Sequence, residues 1–208
     1  MTTLYGMPDS GNCYKPRLLM ALIDQPFRHV EVSTYDGGTH QPEYLAKNPN
    51  GMVPLLELDD GRLLGESNAI LCYLGDATSF APADAFDRAI MLQWMFFEQY
   101  SHEPTVAVRR SLLINPARKA MATPERLAAT LEGGNRALGV METQLTRTPY
   151  LAGTRPTLAD IALYAYTHCA PEGGFDLAGY PGIVAWLARM TQLPRFRPMS
   201  WLPNPLPA

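Results

Sequence analysis

Strand-like and helix-like periodicities alternate through the first 77 residues, and from about residue 84 no strand pattern remains. This change limits the fold more than any other feature of the 208-residue chain. "TTLYGM" reads as a buried strand, and "CYKPRLLMALID" comes after it with apolar residues on a helical period. In "QPFRHVEVST", Phe27, Val30 and Val32 interleave with polar neighbours, which predicts a second strand. A turn-rich stretch with "PEYLAKNPNG" comes next. "VPLLELDDGRLL" then gives two apolar runs joined at Asp60-Gly61, a strong hairpin signal, and "ESNAILCYLGDA" predicts a helix ending near Gly75. The first three elements suit a βαβ unit and the last three a hairpin backed by a helix.

The segment "TSFAPADA" (78–85) reads as a linker, and the chain beyond it is helical. "FDRAIMLQWMFFEQYSHEPTVAVRRSLL" is a long amphipathic helix expected to bend at Pro104. Leu127, Leu131, Leu138, Met141 and Leu145 share one helical face. "PGIVAWLARMTQL" is a further helix and "PNPLPA" a tail. The expected organisation is an α/β domain over 1–77 and an all-helical domain over 84–208. A formal charge of −3 gives no basic surface for nucleic acid. Three cysteines far apart argue against a disulfide framework and for a reducing cytosol. No apolar leader or membrane-length stretch is present, so the chain reads as soluble and cytoplasmic. His29, His40, His102 and His168 lack ligand spacing, so no metal is expected.

Chemistry concentrates in "DSGNCYKPR", at the start of the first helix. A serine hydroxyl without a neighbouring base is a poor nucleophile, but it is a good hydrogen-bond donor. At a helix N-terminus, Ser10 and the Asn12 amide favour an anion, although Ser10 also suits a plain N-cap. Cys13, one turn into the helix, reads mainly as a small buried hydrophobe, and Cys72 and Cys169 as core. Val53-Pro54 starts a strand, where proline is tolerated. Glu66 and Ser67 begin a helix, where they complement its dipole and cap it. Thr157 stands three residues before Asp160 in "PTLADIAL"; a capping box explains the pair as folding rather than function, worth roughly 1 kcal/mol.

The ordered set "SGNCYKPRLLMAL", "NPNGMVPLLE", "GESNAILCYL" and "RPTLADIALY" resembles the cytosolic glutathione transferase superfamily along essentially the whole chain. The first 77 residues match its thioredoxin-like domain and the remainder its helical domain. "S-x-N-x-x-K" is similar to the bacterial Ser/Asn type within it. The resemblance implies glutathione as co-substrate, a small hydrophobic electrophile in a pocket between the two sections, a detoxifying role and a homodimer. It implies Ser10 and Asn12 as the catalytic donors to the glutathione sulfur, and a cis Val53-Pro54 bond that presents Val53 to the tripeptide backbone. Glu66 and Ser67 would take the γ-glutamyl end, and His40, or less readily Lys47, the glycyl carboxylate. Met7, Pro8, Tyr100 and Trp201 are candidates for the electrophile pocket. Glutathione-dependent disulfide reduction, with or without Cys13 as relay, and a non-catalytic binding protein are the alternatives. The "SSCS" motif of maleylacetoacetate isomerases is absent.

Overall fold

The computed structural model describes residues 1–203; the last five positions of the sequence-assigned tail lie outside the described residues. Two compact units result. One joins Met1–Thr78 to the segment from Leu193 onward, and the other is Ser79–Gln192.

The first unit runs β1 (Thr3–Gly6), α1 (Gly11–Leu22), β2 (Arg28–Glu31), α2 (Pro42–Leu45), β3 (Leu55–Glu57), β4 (Leu63–Leu64) and α3 (Ser67–Gly75). The sheet order is β2-β1-β3-β4. β1 and β2 are parallel with Leu4 opposite His29, whereas β3 is antiparallel to β1 with Leu56 opposite Leu4. The hairpin closes over three residues: Gly61 N–H donates to Leu58 O at 3.0 Å and Leu58 N–H to Arg62 O at 2.8 Å. Gly61 has φ +84°, so the Asp60-Gly61 signal marks a type I turn with a left-handed glycine rather than a two-residue turn. α1 packs on α3. Leu4, Leu18, Leu19, Met20, Leu56, Ile70 and Leu71 are fully buried, each worth roughly 1.5–3 kcal/mol relative to exposure.

The tail differs from the sequence reading, which grouped it with the helices. It returns to the first unit, where the Tyr14 hydroxyl donates to Arg197 O at 2.5 Å. The fully buried Arg17 donates to Pro8 O and Met199 O, each at 2.7 Å, and to Met7 O at 3.4 Å. Trp201 meets Phe27 edge-on at 6.3 Å.

His29 in β2 has both ring nitrogens buried with no hydrogen-bond partner among the described residues. Burial, and next the Arg17 charge, push its pKa down to about 4. Between about pH 6.5 and 4 the unfolded chain binds a proton that the folded imidazole refuses, so this group removes stability as pH falls through that window. We expect His29→Leu to lose less stability than the parent between pH 7 and pH 5, read from urea midpoints; equal losses would contradict this account.

The second unit begins with a continuous helical run: α4 (Ala85–Phe97), a π-helical stretch Glu98–Ala107, and α5 (Val108–Ile114). Asp84 caps α4 by accepting the amides of Phe86 and Asp87 at 2.9 and 3.0 Å. The π stretch replaces a simple bend at Pro104. Proline supplies no N–H there, and, one residue on, the Thr105 hydroxyl donates back to the carbonyls of Ser101 and His102. α6 spans Pro124–Leu145, burying Leu138, Met141 and Leu145, while Leu127 and Leu131 are half-buried. Gly134 is required in α6, because a Cβ there would lie 2.3 Å from the Phe175 ring.

Every residue of α7 (Leu158–Thr167) is buried. The expected capping box is present, with Thr157 N–H donating to Asp160 Oδ2 at 2.8 Å. The Thr157 hydroxyl adds a bond at 3.1 Å, and Oδ1 accepts Leu151 N–H at 2.9 Å and the Trp186 indole at 3.0 Å. The Asp160 carboxylate therefore ties α7 to the 151 loop and to α8 (Pro181–Thr191). No helix among the described residues is long and apolar enough to cross a membrane.

Candidate active site

Strand directions gather the candidate residues at one end of the sheet. β1 and its parallel neighbour β2 both finish there, the antiparallel β3 starts there, and β4 returns to it. The loop from β1 leads to Ser10 at the head of α1. The connection after β2 carries His40, the approach to β3 carries Val53-Pro54, and the exit from β4 carries Glu66 and Ser67.

Ser10 is the N-cap of α1, with φ −84° and ψ 123°, and its Oγ accepts the Cys13 amide at 3.3 Å. A hydroxyl has one proton and two lone pairs, so capping leaves the proton available for another acceptor. The cap and the donor roles are thus compatible in one side chain. Asn12 and Ser67, 55 positions apart, meet directly: the Ser67 hydroxyl donates to Asn12 Oδ1 at 3.2 Å. Lys15, fully buried, donates from Nζ to Ser67 Oγ at 3.3 Å. Sequence reasoning included this lysine in the motif without giving it a role, since a lysine in a helical pattern reads as a solvated face.

Cys13 is packed rather than presented. It is fully buried, its sulfur accepts the Met7 amide at 3.3 Å, and a Cβ on Gly6 would come within 2.8 Å of that sulfur. Burial pushes its thiol pKa up, against smaller opposing effects from the Ser10 hydrogen bond, the Met7 amide and Arg17. A thiol so placed is a poor source of thiolate.

The Val53-Pro54 peptide is cis. Glu66, exposed at the N-cap of α3, has φ +64°, a conformation non-glycine residues adopt at a cost on the order of 1–3 kcal/mol and one that clusters at functional sites. Ser67 is the first residue of α3 and is buried. His40 is exposed, with its Nδ1 3.1 Å from Thr39 Oγ1 and its ring beside Gly51 in the loop that leads to Val53. Lys47 is engaged elsewhere, pairing with Glu57 at 2.7 Å while Glu57 also accepts the Tyr5 hydroxyl at 2.6 Å.

The electrophile-pocket candidates fare unevenly. Met7 is buried, and its sulfur accepts the amide and hydroxyl of Thr34, so it belongs to the packing of the first unit. Trp201 is occupied with Phe27. Tyr100, in the π stretch, is 89% exposed.

Comparison with known proteins gives a consistent result along the chain. The family described as "Glutathione S-transferase, N-terminal domain" matches residues 4–81, and "Glutathione S-transferase, C-terminal domain" matches residues 89–194. A crystal structure of a glutathione S-transferase from Pseudomonas fluorescens is 49% identical, with a TM-score of 0.92 over 95% of this chain and 98% of that one. A theta-class enzyme from Xanthomonas axonopodis pv. citri, solved with glutathione bound, is 28% identical with a TM-score of 0.85 over 93% and 94%. The disulfide-bond oxidoreductase YfcG of Escherichia coli is 28% identical over 93% of this chain and 92% of its own.

Proposed function

Because this chain belongs to the glutathione S-transferase family, we propose that it binds glutathione at this sheet end and holds the tripeptide's sulfur as a thiolate with the Ser10 hydroxyl and the Asn12 amide. The single observation carrying this reading is the Ser10 side chain, whose oxygen takes the helix cap while its proton remains to be donated. A free thiol titrates near about 8.5, and donors of this kind at a helix N-terminus lower that by ~1–2, raising the thiolate fraction at neutral pH about tenfold or more. The thiolate then attacks a small hydrophobic electrophile; the protein contributes dipoles fixed in advance rather than a covalent intermediate.

The remaining residues hold the tripeptide. Val53 pairs with its backbone as an added strand at the start of β3, next to Pro54. The N-terminal amides of α3, that of Ser67 included, take the γ-glutamyl carboxylate, Glu66 its ammonium, and His40 the glycyl carboxylate. The glutathione-bound Xanthomonas relative supports the choice of ligand. A crystal structure with glutathione tests the arrangement. Its sulfur should lie within hydrogen-bond range of Ser10 Oγ and Asn12, and a sulfur out of reach of both would end the proposal.

The likeness to YfcG favours a second reading, disulfide reduction with glutathione as the electron source. The burial of Cys13 makes the relay version the weaker form of it. Cys13→Ala should therefore keep both conjugation and disulfide reduction within about twofold of the parent. Loss of reduction alone would assign Cys13 a place in the electron path.

A cytoplasmic homodimer in detoxification is the setting in which we read this activity. Exposed Phe86, Phe96 and Tyr100 along one helical run offer apolar surface to a second copy. Sedimentation at micromolar concentration should give twice the 23.0 kDa of one chain, and a monomer would remove this part of the proposal.

A further inference from the structure

The proposed thiolate donors have a second layer behind them. Lys15 Nζ, Ser67 Oγ and Asn12 Oδ1 form a chain of two hydrogen bonds, 3.3 Å and then 3.2 Å. An ammonium only donates, so it must occupy a lone pair of the Ser67 hydroxyl. The hydroxyl's one proton is then directed to a different acceptor, and Asn12 Oδ1 is the atom it reaches. Because the carbonyl end of the Asn12 amide is taken by Ser67, the NH2 end is turned the other way.

We propose that Lys15 is a positioning residue for the glutathione thiolate, acting through Ser67 to fix which end of the Asn12 amide faces the sulfur. Carbonyl and NH2 ends of an amide are nearly equal in shape and opposite in polarity, so shape alone does not select the orientation. The buried cation supplies the selection, and hydrogen bonds in such a chain polarise one another in the same sense. Without it the Ser67 hydroxyl can rotate, and the amide can turn its oxygen toward the sulfur, which opposes ionisation. The inference rests on the reading of Asn12 as a thiolate donor.

The experiment measures the ionisation of bound glutathione by thiolate absorbance against pH in the parent, Lys15→Met, Ser67→Ala and the double variant, with kcat on an aryl halide alongside. In the parent the bound thiol should ionise more readily than in buffer. Lys15→Met should leave roughly threefold or more less thiolate at pH 7, and its kcat deficit should shrink as pH rises past about 8.5, where the thiol ionises unaided. A loosened fold would lower kcat at every pH. Lys15→Arg, which keeps the charge and donors, should preserve the ionisation. Adding Lys15→Met to Ser67→Ala should change it no further, since the same chain is already cut. If Lys15→Met does not fold, Ser67→Ala alone must show the loss of thiolate. A readily ionising thiol in the parent that is unaffected by Lys15→Met, or by Ser67→Ala, overturns the role of Lys15. A bound thiol in the parent no more acidic than free glutathione overturns the thiolate reading and this inference with it.

Discussion

Replacing Ser10 by alanine is expected to lower kcat for conjugation of an aryl halide about tenfold at pH 7, with KM for glutathione changed by less than about threefold. Asn12→Ala should act in the same direction, and the two together should approach a roughly 25-fold loss, about 2 kcal/mol, close to the most that a thiol returned to about 8.5 can lose at pH 7. The asymmetry between kcat and KM follows from the proposed role of these groups, which is to favour the charged sulfur while contributing little to the affinity for the neutral tripeptide. The acid limb of the pH–rate profile should move up by ~1–2 in the double variant as the thiol recovers its ordinary acidity. Ser10→Ala also removes the α1 cap on the Cys13 amide, so a stability loss of about 1 kcal/mol should accompany it. If kcat is unaltered in both single variants, the sulfur is held by other groups.

The largest effect on folding is expected at Asp160. A capping box by itself is worth roughly 1 kcal/mol. Here the carboxylate is fully buried and accepts four donors: the Leu151 and Thr157 amides, the Thr157 hydroxyl and the Trp186 indole. Alanine would leave those donors inside without partners, at about 1–3 kcal/mol for each buried group left unsatisfied, offset in part by burying one charge fewer. We expect Asp160→Ala to cost about 3–5 kcal/mol in urea unfolding at pH 7, a large share of a typical 5–15 kcal/mol total. Asp160→Asn should cost less, because its remaining oxygen can still serve one pair of donors. A loss near 1 kcal/mol for alanine would reduce this residue to an ordinary cap.

The order of elements was legible because strand and helix periods differ and the β1–α1–β2 and hairpin segments each keep one period cleanly. The box at Thr157 was legible as a local pattern, but its reach to Leu151 and Trp186 was not, since those partners are set by packing. The tail's place in the first unit is not legible, because its anchors there are the main-chain carbonyls of Arg197 and Met199, which leave no mark in residue identity. Pro104 announced an irregularity but not its form, a π register that runs from Glu98 to Ala107 on both sides of the proline. Within the candidate site, Ser10, Asn12 and Ser67 could be named from motif, whereas the Asn12–Ser67–Lys15 contact joins α1 to α3 across more than fifty residues. A buried lysine looks like any other until the helix packed over it is known.

The grip of Arg17 on both the 7–8 loop and Met199 has a consequence for biosynthesis. The ribosome makes the sheet and α1 early, yet Met199, whose carbonyl accepts from the Arg17 guanidinium, is translated only after all of Ser79–Gln192. During that interval the Arg17 guanidinium of the nascent chain lacks the Met199 carbonyl, next to the loop that leads into Ser10. The unit that begins the polypeptide is thus the first to be started and gains its last segment only after Ser79–Gln192 has been made.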